Sequence, residues 1–183
     1  MEIKPWEKVG SPRVLAKSRG RSLVSQKFRD PYNKEVTDYT LFKCDTLVSM
    51  ILAVTKKDEV LVVRQFRQAN ETITLELPGG SSRHGQQNPE AVAKEELAQE
   101  TGGYEPEKII PLMPKGLLTE SGYILFPYLF LECEMRQGDA KLDKGEYVEL
   151  VKIPRPKWIE LCLTGQINDF RSIAVTALAL SHF

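Results

Sequence analysis

A chain of 183 residues falls in the size range of one domain and can bury a core without disulfides or a structural metal. Lys plus Arg and Asp plus Glu each number 25, so the formal net charge is zero, and the chain is 42% hydrophobic and 27% charged. That balance argues against a general nucleic-acid surface, which needs a basic excess, and leaves room for a local nucleotide site.

Three cysteines, Cys44, Cys133 and Cys162, are odd in number and far apart. They fit buried thiols in a reducing compartment rather than a disulfide frame or a zinc site. No run of about 18 apolar residues occurs, so no membrane span is expected. Residues 1–17 lack the apolar core of a secretory leader. A cytoplasmic location is the expectation.

In chain order, residues 22–29 and 35–42 read as strands joined by a turn at Asp30-Pro31-Tyr32-Asn33-Lys34, a hairpin appended to the rest. Residues 47–54 and 60–66 form a second hairpin with a more apolar first strand, and 72–77 a short strand ended by Pro78-Gly79-Gly80. Asn88 suits the cap of a helix and Pro89 its first turn. Gly102-Gly103 stops that helix after Thr101. Residues 107–113, 124–133 and 146–153 read as further strands, with helices near 157–164 and 170–182; the last carries Ile173, Ala174, Ala177 and Leu178 at helical spacing. The pattern is an α+β chain with a mixed sheet and few helices, one domain over 1–183, in which 1–42 is a hairpin appendage and 43–183 the core.

The chemistry concentrates between Gly79 and Gly103. Glu96 and Glu100 are four residues apart, which on a helix sets them about 40° apart on one face. Like charges so placed repel unless a cation sits between them, and Mg²⁺ takes carboxylate oxygens while keeping waters and substrate phosphates as its other ligands. Gln99 beside them offers a neutral amide oxygen. The preceding Leu-Pro-Gly-Gly strand end lets backbone approach a diphosphate closely. His84 and His182 lack the context of a catalytic triad. Trp6 and Trp158 read as packing residues.

Glu76-Leu77-Pro78-Gly79-Gly80 followed by Asn88 to Gly102 resembles the box of the Nudix hydrolases, a glycine, a glutamate, then Arg-Glu-aliphatic-x-Glu-Glu-x-Gly. Val62-Val63-Arg64-Gln65-Phe66-Arg67 resembles the strand before the box in the ADP-ribose pyrophosphatase branch. The resemblance is specific from about residue 60 to 103. There are departures. The loop is one residue longer, Gln86 or Gln87 stands where the first glutamate belongs, Glu95 replaces the arginine, and Gln99 replaces one glutamate.

The resemblance implies a Nudix fold, a mixed sheet sandwiched between helices. It implies metal-dependent hydrolysis of the pyrophosphate bond of ADP-ribose or another nucleoside diphosphate sugar, giving a nucleoside monophosphate and a sugar phosphate. The alternative is a weakened, nucleotide-binding or sensing protein on the same fold. The implied metal, Mg²⁺ or Mn²⁺, falls to Glu96, Glu100 and the Gly79 carbonyl. The implied catalytic residues are Glu100, Gln99 and, from the loop 137–145 and its end, Glu146, with Asp143 as the other loop candidate. Substrate contacts fall to Arg67 as a phosphate clamp, Gly80, Glu76 and Tyr39, the last as an aromatic for the base. Restoring Gln99→Glu is expected to tighten metal binding. Leu118-Thr119-Glu120-Ser121-Gly122 lacks the proline of the ADP-ribose enzymes' loop, which gives other nucleoside diphosphate sugars ground as substrates. The branch also implies a homodimer in which the N-terminal hairpin helps complete the partner's site.

Overall fold

The computed structural model describes residues 2–18, 21–44, 46–82, 88–119, 122–136, 142 and 147–183. Contacts divide the chain into two compact units, residues 1–46 with 118–124, and residues 47–117 with 125–183.

The first unit carries a three-stranded antiparallel sheet in the order β1-β2-β3, formed by Glu7–Ser18, Arg21–Arg29 and Val36–Cys44. The expected hairpin is therefore two-thirds of a larger sheet. Its first strand escapes pattern reading because Gly10 and Pro12 interrupt it. Both lie where the register slips between Val9 and Arg13, as proline in a strand requires an edge or a bulge. β2 is the centre. It buries Val24 and Gln26, and the Gln26 amide donates to the carbonyls of Val9 and Gly10 at 3.2 and 3.3 Å. In the β2–β3 turn, the Asp30 carboxylate accepts from the Tyr32 and Asn33 backbone, the local bonding that makes Asp a turn former.

The second unit is built on a mixed sheet with the order β10-β11-β4-β5-β12 (Leu117–Leu118, Ile124–Met135, Val48–Thr55, Glu59–Arg67, Val148–Pro154). β4 pairs parallel with β11 and antiparallel with β5. Two short strands, β6 (Thr72–Glu76) and β7 (Gly79–Ser81), pair with β5 and β4. β8 (Tyr104–Glu105) and β9 (Lys108–Pro111) pair with β11. Every residue of β4 is buried, because helices pack on it from α1 (Pro89–Thr101) and from α3 (Phe170–Ala179). Ile51 and Ala53 of β4 join Leu61, Phe130 and Tyr128 against Ala93 and Leu97 of α1. α2 (Arg155–Leu163) buries Trp158, whose indole N–H donates to Thr176 of α3 at 2.9 Å.

The helix expected after Asn88 has the expected ends. The Asn88 side chain accepts from the Glu90 and Ala91 N–H groups, and Gly102 closes the other end in a left-handed conformation, φ 80°. Pro156 occupies the first turn of α2, where its missing N–H costs nothing. Cys133 and Cys162 are buried free thiols, and burial pushes the Cys133 thiol up to about 12. Among the described residues no helix is long and apolar enough to cross a membrane.

α3 is tied to the strand end below the box. Asp169 caps it by accepting from the Ser172 N–H at 2.9 Å and the Ser172 hydroxyl at 2.7 Å, and the Ser172 oxygen accepts from the Leu77 N–H at 2.9 Å. Ser172 is fully buried and Leu77 nearly so. Ser172→Ala leaves a buried N–H without its acceptor, and an unfolding free energy lower by about 1–3 kcal/mol is expected, read by urea denaturation with the fold retained.

Candidate active site

The site begins with backbone. Gly79 and Gly80 pair with Met50 and Ser49 of β4, at the strand end opposite the β4–β5 turn. A Cβ on Gly79 would lie 2.8 Å from the Met50 Cα and closer still to the Ser49 carbonyl oxygen. A Cβ on Gly80 would lie 2.5 Å from the Glu96 Cδ and Oε1 and 2.6 Å from Oε2. The glycines are there because the α1 carboxylate and the neighbouring strand occupy the space a side chain would need.

α1 presents the acids. The Glu96 carboxylate lies over Gly80, and one oxygen of Glu100 accepts from the Gly79 N–H at 2.8 Å. The two positions singled out by spacing thus meet the two glycines of the strand end. Gln99, on the same turn, donates from Nε2 to Glu95 Oε1 at 3.0 Å. The two departures from the family pattern on this helix are hydrogen-bonded to each other.

Beside this face, Glu76 is buried to 1% exposure and carries two arginines. Arg67 Nε donates to its Oε1 at 2.7 Å, and Arg67 Nη2 donates to Oε2. Arg171 Nη2 donates to the same Oε2 at 2.7 Å, and the Thr74 hydroxyl to Oε1 at 2.5 Å. Arg171 is held in turn by Asp169 at 2.9 Å. Burial pushes the Glu76 carboxyl up, but the hydrogen bonds from Arg67 and Thr74 and the charges of both arginines hold it below the usual carboxylate range. The Arg67 guanidinium is raised, chiefly by its Glu76 hydrogen bond, with the charges of Asp169 and Glu100 adding to it. Arg67 therefore senses the acidic face of α1. Its Nε–Nη2 edge is committed to Glu76, and its side chain remains one-third exposed.

Tyr39 belongs to the N-terminal sheet, where its ring meets Trp6 and Phe28 edge-on, with centroids 5.9 and 5.7 Å away. Gln86, Gln87, Asp143, Glu146, Glu120 and His84 fall outside the described residues. Arg171, Asp169 and Ser172 were not singled out from sequence. Asp169 and Ser172 carry a usable signal, a capping residue three positions before a partner at the start of an apolar helix. Nothing local marks Arg171, because its partner Glu76 is far away in sequence.

Among the described residues no three His, Cys, Asp or Glu side chains gather to hold a metal by themselves. Two carboxylates over a bare strand end still suit Mg²⁺, which is commonly held by one or two carboxylates with waters and substrate phosphates completing its shell.

No family model matches the chain. It is 29% identical over 135 residues to an ADP-ribose pyrophosphatase of Bacillus subtilis (strain 168), covering 72% of this chain and 69% of that protein. It is 28% identical over 136 residues to a methanol dehydrogenase activator of Bacillus methanolicus, covering 72% and 71%. A solved structure described as an ADP compounds hydrolase superposes with a TM-score of 0.81 at 16% identity, over 100% of this chain and 96% of that one. The chain is thus similar in sequence to the ADP-ribose pyrophosphatase and shares the fold of the ADP compounds hydrolase.

The two glycines separate structure from chemistry. Gly79→Ala drives a Cβ into backbone, and a melting temperature lower by several degrees is expected, on the order of 1–3 kcal/mol for an overpacked site. Gly80→Ala meets only the end of a flexible side chain, so Glu96 moves instead and the melting temperature changes far less. Differential scanning fluorimetry of the two variants compares them directly; equal losses would count against the placement of Glu96.

Proposed function

We propose that this protein hydrolyses the pyrophosphate bond of ADP-ribose or a closely related nucleoside diphosphate sugar, releasing a nucleoside monophosphate and a sugar phosphate, with Mg²⁺ or Mn²⁺ as its metal. One observation carries the reading. Glu96 and Glu100 converge on the Gly79-Gly80 strand end, which brings paired carboxylates and closely approachable backbone to one place. The likeness to the ADP-ribose pyrophosphatase supports the choice of substrate.

Glu96 and Glu100 would hold the metal, with the Gly79 carbonyl as a backbone ligand. When bound, the metal supplies charge against the diphosphate and lowers the pKa of the attacking water. The chain's own residues do the rest. Glu76 fixes Arg67 by its Nε–Nη2 edge, leaving the outer part of the guanidinium for a phosphate oxygen, a contact Arg makes well. Gly80 is assigned to the backbone approach, and Glu76, buried, is assigned to act on the substrate through Arg67. Glu146, or Asp143, is the loop carboxylate assigned to accept a proton from water. A binding-only role is the second reading, favoured by the two changed box positions, Glu95 and Gln99. The separated thiols are the ground for placing the protein in the cytoplasm.

The protein is further proposed to be a homodimer. Val14, Leu15, Val36 and Phe42 of the N-terminal sheet are all more than 40% exposed, apolar surface that a second copy would cover. Tyr39 is the proposed aromatic contact for the base bound in the partner subunit.

A panel of nucleoside diphosphate sugars and dinucleotides, assayed for newly exposed phosphate with and without Mg²⁺, tests the activity. Glu100→Gln is expected to lower kcat at least about tenfold, roughly 1.4 kcal/mol of barrier. Unchanged turnover in that variant, or in excess chelator, removes the metal assignment; an inert wild type that still binds nucleotide selects the second reading. For assembly, light scattering at micromolar concentration is expected to give twice the 20.7 kDa of one chain. Tyr39→Ala is expected to raise KM more than it lowers kcat.

A further inference from the structure

The two residues of α1 that depart from the family pattern form a pair, and the pair has a direction. Gln99 donates its amide nitrogen to Glu95 at 3.0 Å, and both side chains are half-buried. An amide has its two donors on nitrogen and its acceptor on oxygen, so a bond that fixes the nitrogen also fixes where the oxygen is turned. Around the helix axis, Glu95, Gln99, Glu96 and Glu100 follow one another at about 0°, 40°, 100° and 140°. Gln99 therefore stands between Glu95 and the two acids over Gly79 and Gly80. With its nitrogen taken on the Glu95 side, its oxygen is left for the Glu96–Glu100 side. Amide oxygens are ordinary ligands of hard divalent cations.

We propose that Glu95 is a positioning residue that orients Gln99, so that the Gln99 amide oxygen joins Glu96 and Glu100 in facing the divalent cation. This rests on the metal-site reading above. It gives the changed pair a joint role, in which glutamate in place of the basic residue is what lets glutamine stand in place of the acid. It also alters what Gln99→Glu does alone. That change removes the donor to Glu95 and sets two carboxylates four residues apart, an unfavourable arrangement on a helix. Tighter metal binding then follows only when Glu95→Gln accompanies it, which rebuilds the hydrogen bond in the opposite sense.

Mn²⁺ titration followed by electron paramagnetic resonance, on the full chain without nucleotide, tests this independently of turnover. Glu95→Ala is expected to weaken Mn²⁺ binding about tenfold, the usual lower size of a lost orienting contact behind a metal ligand. Glu95→Gln keeps an oxygen acceptor for the Gln99 amide while losing the charge, and it is expected to stay near the wild type. Gln99→Ala is expected to lose as much as Glu95→Ala, with little further loss in the double variant. Equal losses in Glu95→Ala and Glu95→Gln would mean that only charge matters and would overturn the proposal. So would unchanged binding in Glu95→Ala, or additive losses in the double variant. A wild type that binds no Mn²⁺ overturns the metal-site reading itself. Far-ultraviolet circular dichroism of each variant confirms that α1 persists, and Glu95→Gln, nearly isosteric, carries the test if Glu95→Ala does not fold.

Discussion

A single buried carboxylate organises the core unit around the strand end. Glu76 receives Arg67 from β5, Thr74 from its own strand and Arg171 from α3, so one anion ties two strands and a helix together. A buried charge is tolerable only when paired and hydrogen-bonded, and removal of one partner from such a group costs about 3–5 kcal/mol. Two arginines and two carboxylates, Glu76 and Asp169, bring the cluster to formal neutrality. The next residue, Leu77, gives its N–H to Ser172, so the chain enters Pro78-Gly79-Gly80 from a fixed direction. The placement of the glycines under α1 depends on that entry.

The acidic face of α1 is then matched to the strand end by shape as much as by charge. Glu100 spends one oxygen on a backbone N–H, and Glu96 fills the volume above a glycine. Such interactions hold the carboxylates in place with strand pairing behind them, which is how a site gains precision from rigid elements. Arg67 contributes to the same field from the neighbouring strand, and its position is set by Glu76 rather than by the ligand.

Much of this was legible in the sequence, for identifiable reasons. The α1 helix was readable to the residue because Asn88, Pro89 and Gly102 are local signals with local causes. Glu96 and Glu100 were readable because helical spacing fixes which side chains share a face. β1 was not readable, since its glycine and proline sit in a bulge that only the neighbouring strand makes sense of. β7 and β8 are too short to show a period. The Glu95–Gln99 bond was hidden behind comparison with the family pattern, which scores each position singly and sees two losses where the helix has one contact. Arg171 was invisible because its significance comes from Glu76, reached only through tertiary packing.

The parallel pairing of β4 with β11 bears on how the chain reaches this state. β4 begins at Val48 and its parallel partner supplies Leu125 opposite it, so the sheet's central ladder closes a very long loop. Hairpins such as β1–β2, β2–β3 and β5–β6 need only neighbouring segments, and local pairs of that kind form in microseconds. Long-range ladders come late, because the entropy of closing the loop is lost before the contacts are gained. During synthesis β4, whose every residue is buried in the folded chain, must wait for β11 to leave the ribosome, with only β5, β7 and α1 to shield it. Charged Lys56, Lys57, Asp58 and Glu59 immediately after it then act as gatekeepers against mispairing in that interval.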